Sequence, residues 1–144
     1  MLGGKAGVSR KDEMQQALLL LRDYEDSGLG WFWSTDAEGR VDYISECVAQ
    51  KLGKPKSELI GQQFHTLFVL DHGDEERVER TLHLVLSGHK TFSDLPVRTP
   101  PGGEEVWWAI SGRPQFASGG KFSGYYGNGI DITASRQSQK DASR

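Results

Sequence analysis

The densest run of groups able to hold a metal or move a proton is Asp71, His72, Asp74 and Glu75. Acids placed consecutively at the entrance to a helix serve its positive N-terminal end, so dipole pairing is expected there and not a metal centre. One thiol, Cys47, beside four scattered histidines gives no zinc-ligand spacing, and no metal is expected. No Gly-x-Ser-x-Gly elbow, HExxH or P-loop occurs, so no nucleophile and no catalytic residue is nominated. Gly124, Gly127 and Gly129 lie inside an extended stretch and do not separate a strand from a helix. That placement argues against a nucleotide loop and for close backbone approach or space in a pocket. Arg98 and Arg113 are the groups suited to gripping a carboxylate bidentately if they face a concavity, or are exposed and without a ligand if they do not.

The chain that must position these groups has 144 residues, enough for one ordinary domain and too few for two. Its 36% hydrophobic and 26% charged content is that of a folding chain, away from the composition of disordered ones. A net charge of −3 from mixed acids and bases, with no Lys/Arg block, makes nucleic acid an unexpected partner. The longest apolar run, Ala17 to Leu21, is too short to span a bilayer, and no basic segment leads an apolar one as a signal peptide requires. A cytoplasmic protein without direct membrane contact is expected, and the single cysteine fits a reducing compartment.

Ser9 followed by Asp12 reads as a capping box, and Met14, Ala17, Leu18 and Leu21 recur at helical spacing until Ser27-Gly28, predicting an amphipathic helix over 9–27. Trp31, Trp33 and Thr35 share one face of a strand, Asp36 to Arg40 supply a turn, and Val41 to Ile44 resume as a second strand. Between Ser45 and Phe68 the pattern breaks into short helices, with Pro55 at one start and Gly61 at one stop. Val78, Leu82 and Val85 predict the longest helix of the body, closed by Gly88. Three strands follow, Thr91 to Arg98, Val106 to Phe116 and Phe122 to Ile132, separated by Pro100-Pro101-Gly102-Gly103 and Ser118-Gly119-Gly120. Strands grouped at both ends with helices between them predict an α+β antiparallel sheet. The tail from Ser135 to Arg144 is polar and cannot bury a face by itself.

The order of these elements from about Ser27 to Arg136 resembles the PAS family. Its local matches are Ser57-Glu58-Leu59-Ile60-Gly61, Ser111-Gly112-Arg113-Pro114, and Gly124 to Thr133, a last strand ending Asp-Ile-Thr. The resemblance implies a five-stranded antiparallel sheet with short helices on one face and an N-terminal flanking helix. It also implies a signal exit at Asp131, Ile132 and Thr133, leading into a C-terminal effector such as a histidine kinase or a cyclic-dinucleotide enzyme. The expected layout is 1–8 disordered or vector-derived, 9–27 flanking helix, 28–133 PAS domain and 134–144 the start of a signalling linker.

Flavin-holding members of that family carry a reactive cysteine where Phe64 stands, asparagines at the positions of Arg98 and Trp108, and a glutamine at that of Gly129. Haem-holding members carry an axial histidine at the position of Arg77, and His83 on the same helix reads as a core-edge residue. No cofactor is therefore expected, although an unidentified small molecule could occupy a concave pocket lined by Ile44, Phe64, Leu82, Phe92, Arg98, Trp108, Ile110 and Gly129. The expected role is a regulatory sensor and homodimerisation module of a signalling pathway such as a two-component system. Met14, Ala17, Leu18 and Leu21 form the expected dimer contact, with one stripe of the helix on its own sheet and the other on the partner. A small-molecule receptor of the same fold is the first alternative, and a small α+β enzyme the second.

Overall fold

The computed structural model describes residues 9–69 and 82–142. Helix α1 runs Arg10–Asp26, and Ser9 caps it by accepting the Asp12 amide at 3.1 Å, the bond that the sequence motif predicts. Strands β1 (Trp31–Thr35) and β2 (Val41–Ile44) form the first hairpin. Helices α2 (Glu46–Leu52) and α3 (Lys56–Leu59) and a 3-10 turn (Phe64–Leu67) follow. Helix α4 is described over 82–87; the expected beginning of that helix, with Arg77, Val78 and the acidic stretch Asp71 to Glu76, lies outside the described residues. Strands β3 (Phe92–Arg98), β4 (Trp107–Phe116) and β5 (Phe122–Asp131) lead into α5 (Thr133–Ala142).

The five strands make one antiparallel sheet in the order β2-β1-β5-β4-β3. The first and last strands of the chain therefore lie side by side at its middle. Alternation along β1 buries Trp31, Trp33 and Thr35 and turns Phe32 and Ser34 to the other face, as the period of two requires. One core lies between the sheet and the short helices, built from Trp31, Trp33, Ile44, Val48, Leu59, Phe64, Phe68, Leu82, Val97, Trp108, Ile110 and Tyr125.

Asp36 shapes the hairpin turn. Its carboxylate accepts the Glu38 and Arg40 amides, each at 2.9 Å, and meets the Arg40 guanidinium at 3.1 Å. Burial works against its charge, but these hydrogen bonds outweigh that effect and hold the carboxyl below its ordinary range.

The chain beyond the expected signal exit is helical, Thr133–Ala142. One expectation changes. Helix α1 buries none of its residues, so the expectation that one stripe packs on its own sheet is not met within the chain.

Candidate functional site

The concave face of the sheet is filled with aromatic rings. Trp33 stacks on Phe64 with centroids 4.0 Å apart, Trp31 meets Trp108 edge-on at 5.5 Å, and Phe68 closes on Phe64 and Trp108 at 5.1 and 5.7 Å. Offset and edge-to-face pairs of this kind contribute beyond the area they bury. Two glycines make room for the two β1 rings. A methyl group at Gly129 would collide with the Trp31 indole, and one at Gly112 would lie 2.7 to 2.8 Å from the Phe92 and Trp33 rings. Of the eight candidate pocket residues, Ile44, Phe64, Leu82, Trp108 and Ile110 belong to this core, Phe92 packs against it and Gly129 lies under Trp31.

Arg98 does not belong with them. Two residues of β3, Ser93 and Asp94, oppose the single Ser111 of β4 between the pairs Phe92↔Gly112 and Leu95↔Ile110, and Asp94 has a positive φ of 56° in that bulge. The extra residue reverses the alternation, so Val97 is buried and Arg98 turns to the outer face. There its guanidinium lies 5.9 Å from the Trp107 ring and pairs with Glu105 at 3.9 Å. Arg113 is also exposed on the outer face, where it lines a groove of about 330 Å³ with Phe32, Ser111, Tyr126 and Asn128. Neither arginine reaches the concave side.

Two indole N–H groups differ in their partners. Trp33 donates to the Asn128 carbonyl at 3.2 Å, whereas the Trp31 Nε1, equally deep in the core, has no acceptor among the described residues. Tyr125 donates its hydroxyl to the carbonyls of Val85 and Lys90 at 3.2 and 2.9 Å, which ties the sheet to the end of α4. Cys47 is half-buried, and burial together with the Glu25 carboxylate pushes its thiol above the ordinary value, away from the reactive thiolate.

Helix α1 touches the sheet through its last turn. Tyr24 packs on Phe32 at 5.5 Å, and the Glu25 carboxylate accepts hydrogen bonds from Tyr43, at 3.0 Å, and from Ser45. Ser45 in turn accepts the Phe32 amide at 2.8 Å. Ahead of that turn Met14, Ala17, Leu18 and Leu21, with Leu19 and Leu20, are all exposed.

The other end of the chain is anchored more closely. Asp131 accepts the Thr133 amide at 2.9 Å, which satisfies the first free N–H of α5, and Thr133 Oγ1 accepts the Trp107 amide at 2.9 Å. Ile132 donates its amide to the Trp107 carbonyl at 2.8 Å, and the Arg136 guanidinium stands 4.8 Å from the Trp107 ring. Asp131, Ile132 and Thr133 thus form a junction centred on Trp107. Sequence reasoning missed Trp107 and Arg136; a large aromatic on the solvent-side position of a strand, beside the buried Trp108, was the available signal.

An open five-stranded antiparallel sheet carrying short helices on its concave face and a helix at each end defines an α+β sensor-type fold. The model of the PAS fold matches residues 25–137, and the chain belongs to the PAS family. A protein of Sinorhizobium fredii described as uncharacterised protein y4lL is 25% identical over 135 residues, a match covering 90% of this chain. The chain spans 16% of that relative's length. Among solved structures, the N-terminal domain of a diguanylate cyclase with a PAS/PAC sensor from Marinobacter aquaeolei superposes with a TM-score of 0.61 at 17% identity, covering 74% of this chain and 98% of that one. The PAS domain of the fruit-fly ELK potassium channel gives 0.59 at 16% identity, covering 80% and 95%. At these identities the structures show the fold. PAS domains are in general non-catalytic sensor modules, and among the described residues no helix is long and apolar enough to cross a membrane.

Proposed function

We propose that this domain is a regulatory sensor that homodimerises through α1 and passes a signal through α5 to a C-terminal effector, without haem or flavin. The observation that carries the reading is α1 itself. Seventeen residues of helix are held to the sheet by one turn, and Met14, Leu18, Leu19, Leu20 and Leu21 stand 43% to 64% exposed. Apolar surface of that extent on a helix is stabilised by pairing with another helix, and a second copy supplies one of matching shape. Two α1 helices joined in this way would bring two α5 helices into one assembly, so that a change in helix pairing can be read by the effector. The effector would be a histidine kinase or a diguanylate cyclase or phosphodiesterase, the latter class in keeping with the cyclase sensor among the structural neighbours.

Light scattering over a range of concentrations tests the dimer. The parent is expected at twice the chain mass, and Leu18→Glu with Leu21→Glu at the chain mass. A parent that is monomeric throughout, or a doubly substituted protein that stays dimeric, refutes the role given to α1.

A second reading, a receptor for a small molecule on the concave side, is favoured by one observation. The buried Trp31 indole N–H lacks an acceptor among the described residues. A ligand carbonyl or carboxylate would supply it, and a buried donor left unpaired costs about 1–3 kcal/mol. Native mass spectrometry of the purified protein distinguishes the two readings by the presence of a co-purified metabolite.

A further inference from the structure

The groove of about 330 Å³ on the outer face of the sheet has a volume at the low end of those that hold small organic molecules. Register sets out its floor. Phe32, Asn128 and Ser111 stand side by side across β1, β5 and β4, and Ser34, Tyr126 and Arg113 form the next row. Phe32 and Tyr126 give the lining its apolar surface, and the polar groups beside them are donors. Arg113 has no carboxylate partner among the described residues, in contrast to Arg98 on the same face, which pairs with Glu105. The half-buried Asn128 uses its main-chain carbonyl to accept from Trp33, and its side-chain amide makes no hydrogen bond among the described residues. Ser111 Oγ accepts the Asp94 amide at 3.0 Å, which leaves its own O–H to donate. No Asp or Glu lines the groove, so a cation, an amide and a hydroxyl meet there without an anion to receive them.

We propose that this groove binds a small organic acid with a flat apolar body, its carboxylate gripped by Arg113 with Asn128 and Ser111 donating beside it, and its ring laid between Phe32 and Tyr126. A guanidinium meets a carboxylate in two parallel hydrogen bonds, each roughly twice as strong as one between neutral groups. Phe32 and Arg113 lie two strands and two residues apart, about 12 Å along the diagonal of the sheet, a span that a single-ring acid and the long arginine side chain cover together. The occupant would share the Phe32 ring with Tyr24, 5.5 Å away, and so would lie against the turn that holds α1 to the sheet. The site is on the opposite face from the aromatic core and the Trp31 N–H, and it needs neither the dimer nor an effector, so it stands or falls independently of the role proposed for the domain.

The test is titration of the full, nitrogen-15-labelled chain with benzoate, followed in proton–nitrogen correlation spectra, with benzamide as the probe that lacks the charge and inorganic phosphate as the probe that lacks the ring. Saturable shifts centred on the amides of Phe32, Ser111, Arg113 and Asn128 are expected with benzoate, and binding about tenfold weaker or more with the other two. Arg113→Gln should weaken benzoate by about tenfold or more, whereas Arg98→Gln, which removes a cation of the same face outside the groove, should leave it unchanged. Because Arg113 is exposed, its variant is expected to keep the spectrum of the folded parent; Asn128→Ala, which retains the main-chain bond to Trp33, should also weaken benzoate and carries the test if Arg113→Gln does not fold. Shifts that never saturate, unaltered affinity in Arg113→Gln, an equal loss in the two arginine variants, or benzoate bound no better than benzamide or phosphate overturns the proposal.

Discussion

Trp107 and Trp108 are adjacent in sequence and lie on opposite faces of β4, so truncating each in turn measures the register of the strand. Trp108 is 3% exposed and its ring meets those of Trp31 and Phe68 at 5.5 and 5.7 Å. Removing it deletes a large buried ring from a face whose neighbours are rigid aromatics and cannot collapse into the space, so Trp108→Ala should cost about 3–5 kcal/mol. Trp107 is half-buried on the outer face, where it faces the guanidinium groups of Arg98 and Arg136 at 5.9 and 4.8 Å. Exposed cation–π contacts contribute about 0.5–1 kcal/mol each, so Trp107→Ala should cost about 1–2 kcal/mol. Urea denaturation followed by far-ultraviolet circular dichroism gives both values from the midpoints, provided the slopes agree. A small domain has about 5–15 kcal/mol in all, so the Trp108 variant could lose most of its native population; Trp108→Phe should then give an intermediate loss. Equal losses at the two positions, or a larger one at Trp107, would mean that the wrong face of β4 had been assigned to the core.

Gly129→Ala should destabilise by about 1–3 kcal/mol because its methyl group must displace the Trp31 indole, whereas Gly103→Ala, with open space around it, should stay within about 0.5 kcal/mol; comparable midpoints for the two would refute the glycine-for-ring packing. Asp36→Asn should be less stable than the parent at neutral pH. Because the folded carboxyl titrates below its unfolded value, its contribution is complete above the unfolded carboxylate range and is lost as pH falls through the folded value, so the gap between the two proteins should close in acid. A gap that is constant with pH in thermal melts would assign the loss to turn geometry and not to charge. The purified protein should show no flavin or Soret absorbance, since Phe64, Trp108 and Gly129 are committed to ring packing; a band that survives gel filtration contradicts this.

The parts of this fold legible in the sequence are those set by local pattern. Trp31, Trp33 and Thr35 alternate cleanly, the Ser9 cap and the Asp36 turn are decided within four residues, and the two glycine-rich connections separate three strands. Arg98 faces away from the expected pocket because the bulge around Asp94, which no local sequence signal announces, inserts one residue and reverses the alternation. Helix α5 is implied by the family resemblance and not by the polar tail itself, because what holds its first turn, the Trp107 amide, carbonyl and ring, lies 26 positions earlier.

Because β1 pairs with β5, the point where the chain enters the sheet and the point where it leaves are neighbours: Trp31 stands opposite Gly129, two residues before the strand ends. Adjacent strands are about 4.8 Å apart, so the whole domain occupies little more than one strand spacing between the chain that arrives and the chain that departs. Such a unit can be spliced into a loop of a longer polypeptide, or duplicated in tandem, without prying apart what lies on either side. In the signalling role proposed for the domain it would act as a lever with both handles at one end, since a tilt of α1 about its last turn would have only one strand to cross before it reached α5.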